Sequence, residues 1–142
     1  MLDGWQIEIT EQPDRVADQV IDEGLEIYNN QAADLGAVAP LRCYARTPSG
    51  ELAGGVIART WGACCEVQIV WVDEKHRRRG VATELLRMVE NAARSRGCRL
   101  VYLETFSFQA PSLYERADYK VATTFSGFPA GIRKFIMQKQ LG

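Results

Sequence analysis

Apolar residues recur along this chain at two different spacings, and the alternation between them predicts a mixed α/β architecture. Trp5-Gln6-Ile7-Glu8-Ile9-Thr10 alternates apolar and polar, which predicts a half-buried first strand. Gln12-Pro13-Asp14 ends it, and Asp14 can cap a helix that begins near Arg15. Val16, Val20, Ile21, Leu25 and Tyr28 then fall at helical spacing and make one apolar stripe. Asn29 and Asn30 interrupt the pattern, and Gly36 and Pro40 bracket an irregular stretch. Leu41 to Arg46 reads as a strand, Pro48-Ser49-Gly50 as a turn, and Glu51 to Thr60 as the hairpin partner. Within that partner, Gly54-Gly55 marks a bulge or a close approach of two backbones.

The strongest strand signal runs from Cys64 to Val72. Val67, Ile69, Val70, Trp71 and Val72 are almost all β-branched or aromatic, which predicts a central strand covered on both faces. A charged loop from Asp73 to Arg79 leads to Gly80. Beyond it Val81, Leu85, Met88, Val89 and Ala92 form the apolar face of a helix that stops near Gly97. Leu100 to Glu104 is a further buried strand. A short helix follows from Ala110 to Ala117, with Pro111 tolerated in its first turn. Tyr119 to Thr124 and Ile132 to Gln138 complete the pattern as two strands. The order is strand, helix, three strands, helix, strand, helix, two strands, with no internal repeat or linker: one domain over residues 1–142.

Composition narrows the class without choosing a function. A chain of 142 residues, 46% hydrophobic and 25% charged, can build a core without a metal or disulfide staple. Seventeen basic residues against eighteen acidic ones argue against a dedicated nucleic-acid or membrane-surface binder. Cys43, Cys64, Cys65 and Cys98 show no C-x-x-C spacing, and the lone His76 does not complete a metal site. There is no secretory leader and no apolar run of roughly 18 residues, so the cysteines read as reduced, the protein as cytoplasmic, and no membrane partner is expected.

Chemistry enters at Val70-Trp71-Val72-Asp73-Glu74-Lys75-His76-Arg77-Arg78-Arg79-Gly80-Val81-Ala82. A strand passes through a basic, glycine-bearing turn into a helix. That arrangement aims unpaired N–H groups and the positive end of the helix dipole at an anion. Gly80 lets backbone approach a phosphate, Ala82 leaves room beside it, and three arginines add bidentate donors. The turn therefore predicts a diphosphate or polyphosphate site. A P-loop is excluded because G-x-x-x-x-G-K-S/T is missing, and a Rossmann fingerprint would need three spaced glycines.

Arg77-Arg78-Arg79-Gly80-Val81-Ala82 also fits Arg/Gln-x-x-Gly-x-Gly/Ala, and it resembles the acetyl-CoA signature of the GCN5-related N-acetyltransferase (GNAT) superfamily. Downstream, Ala110-Pro111-Ser112-Leu113-Tyr114-Glu115-Arg116-Ala117-Asp118-Tyr119 is similar to that family's A-x-x-L-Y-E-K/R-x-G-F/Y. The likeness covers residues 50 to 125, and the flanks follow it by element order. Two positions depart. Asp118 stands where glycine is usual, although Asp can adopt a left-handed turn. Ser107 stands where many members have an asparagine that touches the pantetheine arm.

The resemblance implies a splayed, mostly antiparallel sheet of about six to seven strands flanked by helices. Acetyl-CoA would serve as co-substrate. Its pantetheine would lie where the central strand and the Leu100–Glu104 strand diverge, hydrogen-bonding main chain near Trp71 and Val72, with Ser107 offering one further contact. Its pyrophosphate would sit on the amides of Arg78, Arg79, Gly80, Val81 and Ala82, beside Arg77. Tyr114 would be the general acid that protonates departing CoA thiolate; a phenol near pKa 10 returns a proton to a thiol near 8.5 without a steep uphill step. For the base, Glu66 lies where some members carry a glutamate, Glu104 is its rival, and a water chain is the third choice. His76 reads as a surface residue of the loop. The acceptor pocket is expected from Tyr28 to Leu41 and Phe125 to Phe128, with Tyr28, Phe125 and Phe128 as lining or core.

The implied function is transfer of an acetyl group to a primary amine of a small molecule or a protein, and the resemblance allows a homodimer. Two other classes compete. A non-catalytic acyl-CoA sensor would keep Gly80 and the arginine turn without needing Tyr114. A nucleic-acid binder using Arg77 to Arg79 would bind less tightly as salt rises and would not prefer CoA.

Overall fold

The computed structural model describes residues 2–142, which fall into two compact units meeting between Leu35 and Gly36. The first unit contains α1 (Arg15–Ala32), and Asp14 caps it as expected, its Oδ1 accepting from the amides of Val16 and Ala17 at 3.1 Å each. The predicted stripe lies along this helix, but α1 buries no residue, and Val16, Val20, Ile21, Leu25 and Tyr28 stay 60–75% exposed. The strand predicted over Trp5–Thr10 does not form. A strand exists through its ladder, and these residues pair with no other segment; alternation alone supplies a face without hydrogen-bond partners.

The second unit is built on six strands: β1 (Ala39–Arg46), β2 (Leu52–Trp61), β3 (Cys64–Val72), β4 (Leu100–Phe106), β5 (Lys120–Phe125) and β6 (Lys134–Gln140). Their order is β1-β2-β3-β4-β6-β5, antiparallel everywhere except between β3 and β4. That parallel pair needs a crossover, which α2 (Val81–Ser95) provides while packing against β1, β2 and β3. The short α3 (Pro111–Arg116) begins on Pro111, as the sequence suggested. Pro40 lies inside β1 rather than before it. This is permissible because β1 is an edge strand, where a missing N–H removes no necessary bond.

One side of the sheet carries the core, in which Val56, Cys65, Leu86, Val89, Val101 and Met137 are fully buried. Each such Val, Leu or Met is worth about 1.5–3 kcal/mol of transfer free energy. The buried face of α2 is Leu85, Leu86, Val89, Glu90 and Ala93, so the helix is turned slightly from the predicted stripe, leaving Met88 half exposed and burying a glutamate instead.

The long apolar run of β3 has a different cause from the one its composition suggested. Ile57 pairs with Ile69 but Ala58 pairs with Val67, so Gln68 has no partner and forms a bulge. The extra residue shifts the alternation by one. Cys65 and Val67 before it, and Val70 and Val72 after it, all face the core, whereas Ile69 and Trp71 are about half exposed. The strand is therefore not covered on both faces. Gly54 and Gly55 answer to close approach: a Cβ on Gly54 would lie 2.7 Å from the Trp71 carbonyl oxygen, and one on Gly55 3.0 Å from that of Cys43.

Candidate active site

Pairing between β3 and β4 stops at Val67 and Leu103, although both strands continue. The gap that opens holds two clefts. The larger, about 390 Å³, is lined by the end of β3 (Val70, Trp71, Val72), the start of α2 (Gly80, Val81, Ala82, Thr83), the loop residues His76, Arg77 and Arg78, and α3 residues including Leu113, Tyr114 and Arg116. The smaller, about 220 Å³, lies between Val67–Val70 and Leu103–Thr105, and its polar lining is Gln68, Glu104, Thr105 and Gln109. Val70, Ala110 and Tyr114 belong to both.

The wall at the head of α2 is made mainly of backbone. Arg78 and Gly80 both take the left-handed conformation, at φ 61° and 79°. The first bond of the helix runs from the Glu84 amide to the Gly80 carbonyl, so the preceding amides point out of the helix end without backbone acceptors among the described residues. Nothing lies within 4 Å of a Cβ built on Gly80. A side chain there would project into open cleft and strain a positive φ, as expected of a cradle shaped for an anion. These residues fit the diphosphate of acetyl-CoA.

The arginines divide their work. Arg77 donates Nε to the Val72 carbonyl at 2.9 Å, bracing the turn against the end of β3. Arg78 lines the larger cleft and Arg79 lines neither. Arg116, two residues after Tyr114, adds a cation to this wall that sequence reading passed over; its place in the second motif was the available signal. His76 is not a surface residue. Its side chain is 15% exposed and lines the cleft, with Nδ1 3.3 Å from the Asp73 carboxylate but not aligned as a hydrogen bond.

Tyr114 is buried on α3, its ring edge-on to that of Tyr119 at 5.9 Å between centroids. Burial holds its phenol above the ordinary value, so it is protonated at neutral pH. Asp118, the departure from glycine, does adopt a left-handed φ of 72°.

Glu66 and Ser107 stand apart from both linings. Glu66 accepts from Arg59 Nε at 2.7 Å across the β2–β3 ladder, and Ser107 is tied to Arg133 in both directions, its amide to the carbonyl at 2.8 Å and its Oγ from the amide at 3.0 Å. Glu104 lines the smaller cleft and pairs with Lys134 at 3.0 Å. Phe128 packs edge-on to Phe106, Phe125 is half exposed, and neither lines a cleft; Tyr28 lies on α1. The four cysteines are also apart from the clefts: Cys65 and Cys98 are buried, and burial pushes the Cys65 thiol up to about 11. Among the described residues, no helix is long and apolar enough to cross a membrane.

Known proteins agree with this geometry. The acetyltransferase (GNAT) family model matches residues 5–119, spanning both units. A blasticidin-S acetyltransferase of Streptomyces morookaense is 35% identical over 99 residues, 69% of this chain and 73% of its own. An acetyltransferase of Agrobacterium fabrum is 31% identical over 106 residues, covering 75% and 77%. Among solved structures, an acetyltransferase from Bacillus cereus superposes with a TM-score of 0.78 at 26% identity, over 94% of this chain and 98% of that one. The extent of the family match and these identities establish that the chain belongs to the GNAT family of acetyltransferases, which use acetyl-CoA as co-substrate.

Proposed function

We propose that the protein acts as a single domain that transfers the acetyl group of acetyl-CoA to a primary amine of a small, polar molecule. One observation carries this reading: Tyr114 is a wall of both clefts, so a thioester entering from the amide cradle and an amine entering beside Glu104 would meet at its phenol. The amine nitrogen forms the new bond to the acetyl carbonyl carbon as the C–S bond breaks. Tyr114 gives its proton to the leaving sulfur, and the amine loses one to a base. Of the two carboxylates, Glu104 lines the acceptor cleft, which supports it as that base; the spacing of Glu66 before Arg77 keeps it as the second choice.

The smaller cleft supports this acceptor class. Gln109 Oε1 already accepts from the Phe106 amide at 2.8 Å, leaving its amide N–H groups as donors, and Gln68, Thr105 and Glu104 add polar atoms. A cleft of about 220 Å³ suits a compact hydrogen-bonding amine better than a polypeptide segment. One relative is named for acetylating blasticidin-S, which supports a small acceptor.

Incubation with acetyl-CoA and a panel of amines, including blasticidin-S, polyamines, aminoglycosides and lysine peptides, tests this. Mass spectrometry should find a 42 Da gain, estimated as one acetyl replacing one hydrogen, on small amines before peptides. Binding of CoA with no acetylated product would leave a sensor; preference for peptides would overturn the acceptor class.

A further inference from the structure

Below the site, α2 contributes a carboxylate to its buried face. Glu90 is 5% exposed in a helix face otherwise made of Leu85, Leu86, Val89 and Ala93. Both of its oxygens are engaged. Oε2 accepts from the Tyr119 hydroxyl at 2.9 Å and Oε1 from Lys139 Nζ at 2.7 Å. The partners lie 29 and 49 residues away, one just beyond α3 and the other on β6, and the Lys139 ammonium also lies 5.7 Å from the centre of the Tyr119 ring. A buried ionic group of this kind adds less to stability than an apolar side chain of similar shape would, which makes its retention on a core face informative.

Tyr119 connects the carboxylate to the chemistry. Its amide donates to the Tyr114 carbonyl at 2.9 Å, and its ring lies edge-on to the Tyr114 ring. Fixing the Tyr119 hydroxyl therefore fixes two surfaces against which Tyr114 rests. α3 has only six residues and no side-chain cap, so it has little rigidity of its own. We propose that Glu90 and Tyr119 are positioning residues: the carboxylate anchors Tyr119, and Tyr119 holds the phenol of Tyr114 where the two clefts join. Lys139 balances the carboxylate and ties the arrangement to β6.

The inference rests on Tyr114 as the proton donor, and a double-mutant cycle separates the two claims. Tyr119→Phe keeps the ring and leaves Glu90 paired with Lys139, so it is the least disruptive way to release the anchor. With an amine turned over in the panel above, Tyr119→Phe should lower kcat about ten- to a hundredfold, the cost of a small displacement of a reacting group. KM for acetyl-CoA should stay within about twofold, because the cradle at α2 is untouched. In a Tyr114→Phe background, Tyr119→Phe should cost almost nothing more, since there is no hydroxyl left to aim.

A general loosening of the fold would lower kcat by the same factor in both backgrounds, and that result would overturn the proposal. So would Tyr119→Phe with full kcat. If Tyr114→Phe itself has full kcat, or no amine in the panel is acetylated, the reading of the site falls and this inference falls with it. Should Tyr119→Phe not fold, Glu90→Leu combined with Lys139→Met takes its place in the same cycle, because it removes the acceptor of the Tyr119 hydroxyl without leaving a buried charge unpaired.

Discussion

Around the larger cleft the recognising groups belong largely to the main chain: the outward amides at the head of α2, the left-handed turns at Arg78 and Gly80, and the Gly54 contact that brings β2 onto the end of β3. Around the smaller cleft they are side chains, Gln68, Glu104, Thr105 and Gln109, carried on three separate segments. Main-chain recognition constrains which residues permit a conformation, so it leaves a compact motif. Side-chain recognition constrains where atoms lie in space, and its residues are scattered along the chain. The two clefts should therefore respond differently to substitution, the first through backbone geometry and the second through individual functional groups.

The largest effect is expected at the junction. Tyr114→Phe keeps the ring and most of its packing, and it should lower kcat roughly 10²–10⁴-fold with KM for acetyl-CoA little changed. Because burial raises the phenol's pKa, ionisation of Tyr114 contributes to the basic limb of the pH profile only above the ordinary phenol value of about 10. A folded variant with full kcat, measured where chemistry limits the rate, would make Tyr114 a wall and nothing more.

Next in size is the carboxylate pair. Glu104→Gln should lower the rate roughly 10²-fold, mainly on the acidic side where free amine is scarce, while Glu66→Gln should change it little. The reverse pattern would return the base to β3 and separate it from the polar cleft. Gly80→Val comes third. It should reduce affinity for acetyl-CoA at least about tenfold in calorimetric titration, or about 1.4 kcal/mol, without altering acceptor preference. Unchanged affinity in a folded protein would remove the main-chain account of the first cleft. The smallest effect is expected from Ser107→Ala. Its Oγ is occupied by the Arg133 amide, so KM for acetyl-CoA should move less than about twofold. A larger rise would place Ser107 on the pantetheine arm after all.

Legibility in the sequence followed the same division. The Asp14 cap, α2 and its arginine turn, the Pro111 start of α3 and the hairpin of β1 and β2 are set by neighbours a few residues apart, and each stood out. Trp5–Thr10 misled because alternation describes a face but not a partner. Glu66 attracted attention by its spacing, yet its environment depends on Arg59, placed opposite it by the β2–β3 register. Glu90 gave no warning at all. A charged residue within a helical pattern ordinarily faces water, and only Tyr119 and Lys139, distant in sequence, explain why this one does not.

The bulge at Gln68 bears on how this strand can vary in length. Substitution along β3 changes one contact at a time, but loss of a single residue at position 68 would restore a regular ladder and remove the bend that falls where β3 parts from β4, just past Val67 and Leu103. The faces would keep their places, with Ile69 and Trp71 outward and Val70 and Val72 toward the core. The parallel ladder with β4 would then be free to run on past Val67, closing the gap that holds the two clefts. β3 is thus permissive to changes of side chain and intolerant of changes of length, and natural or engineered variants of this protein should show insertions and deletions in its loops but not between Val67 and Val72.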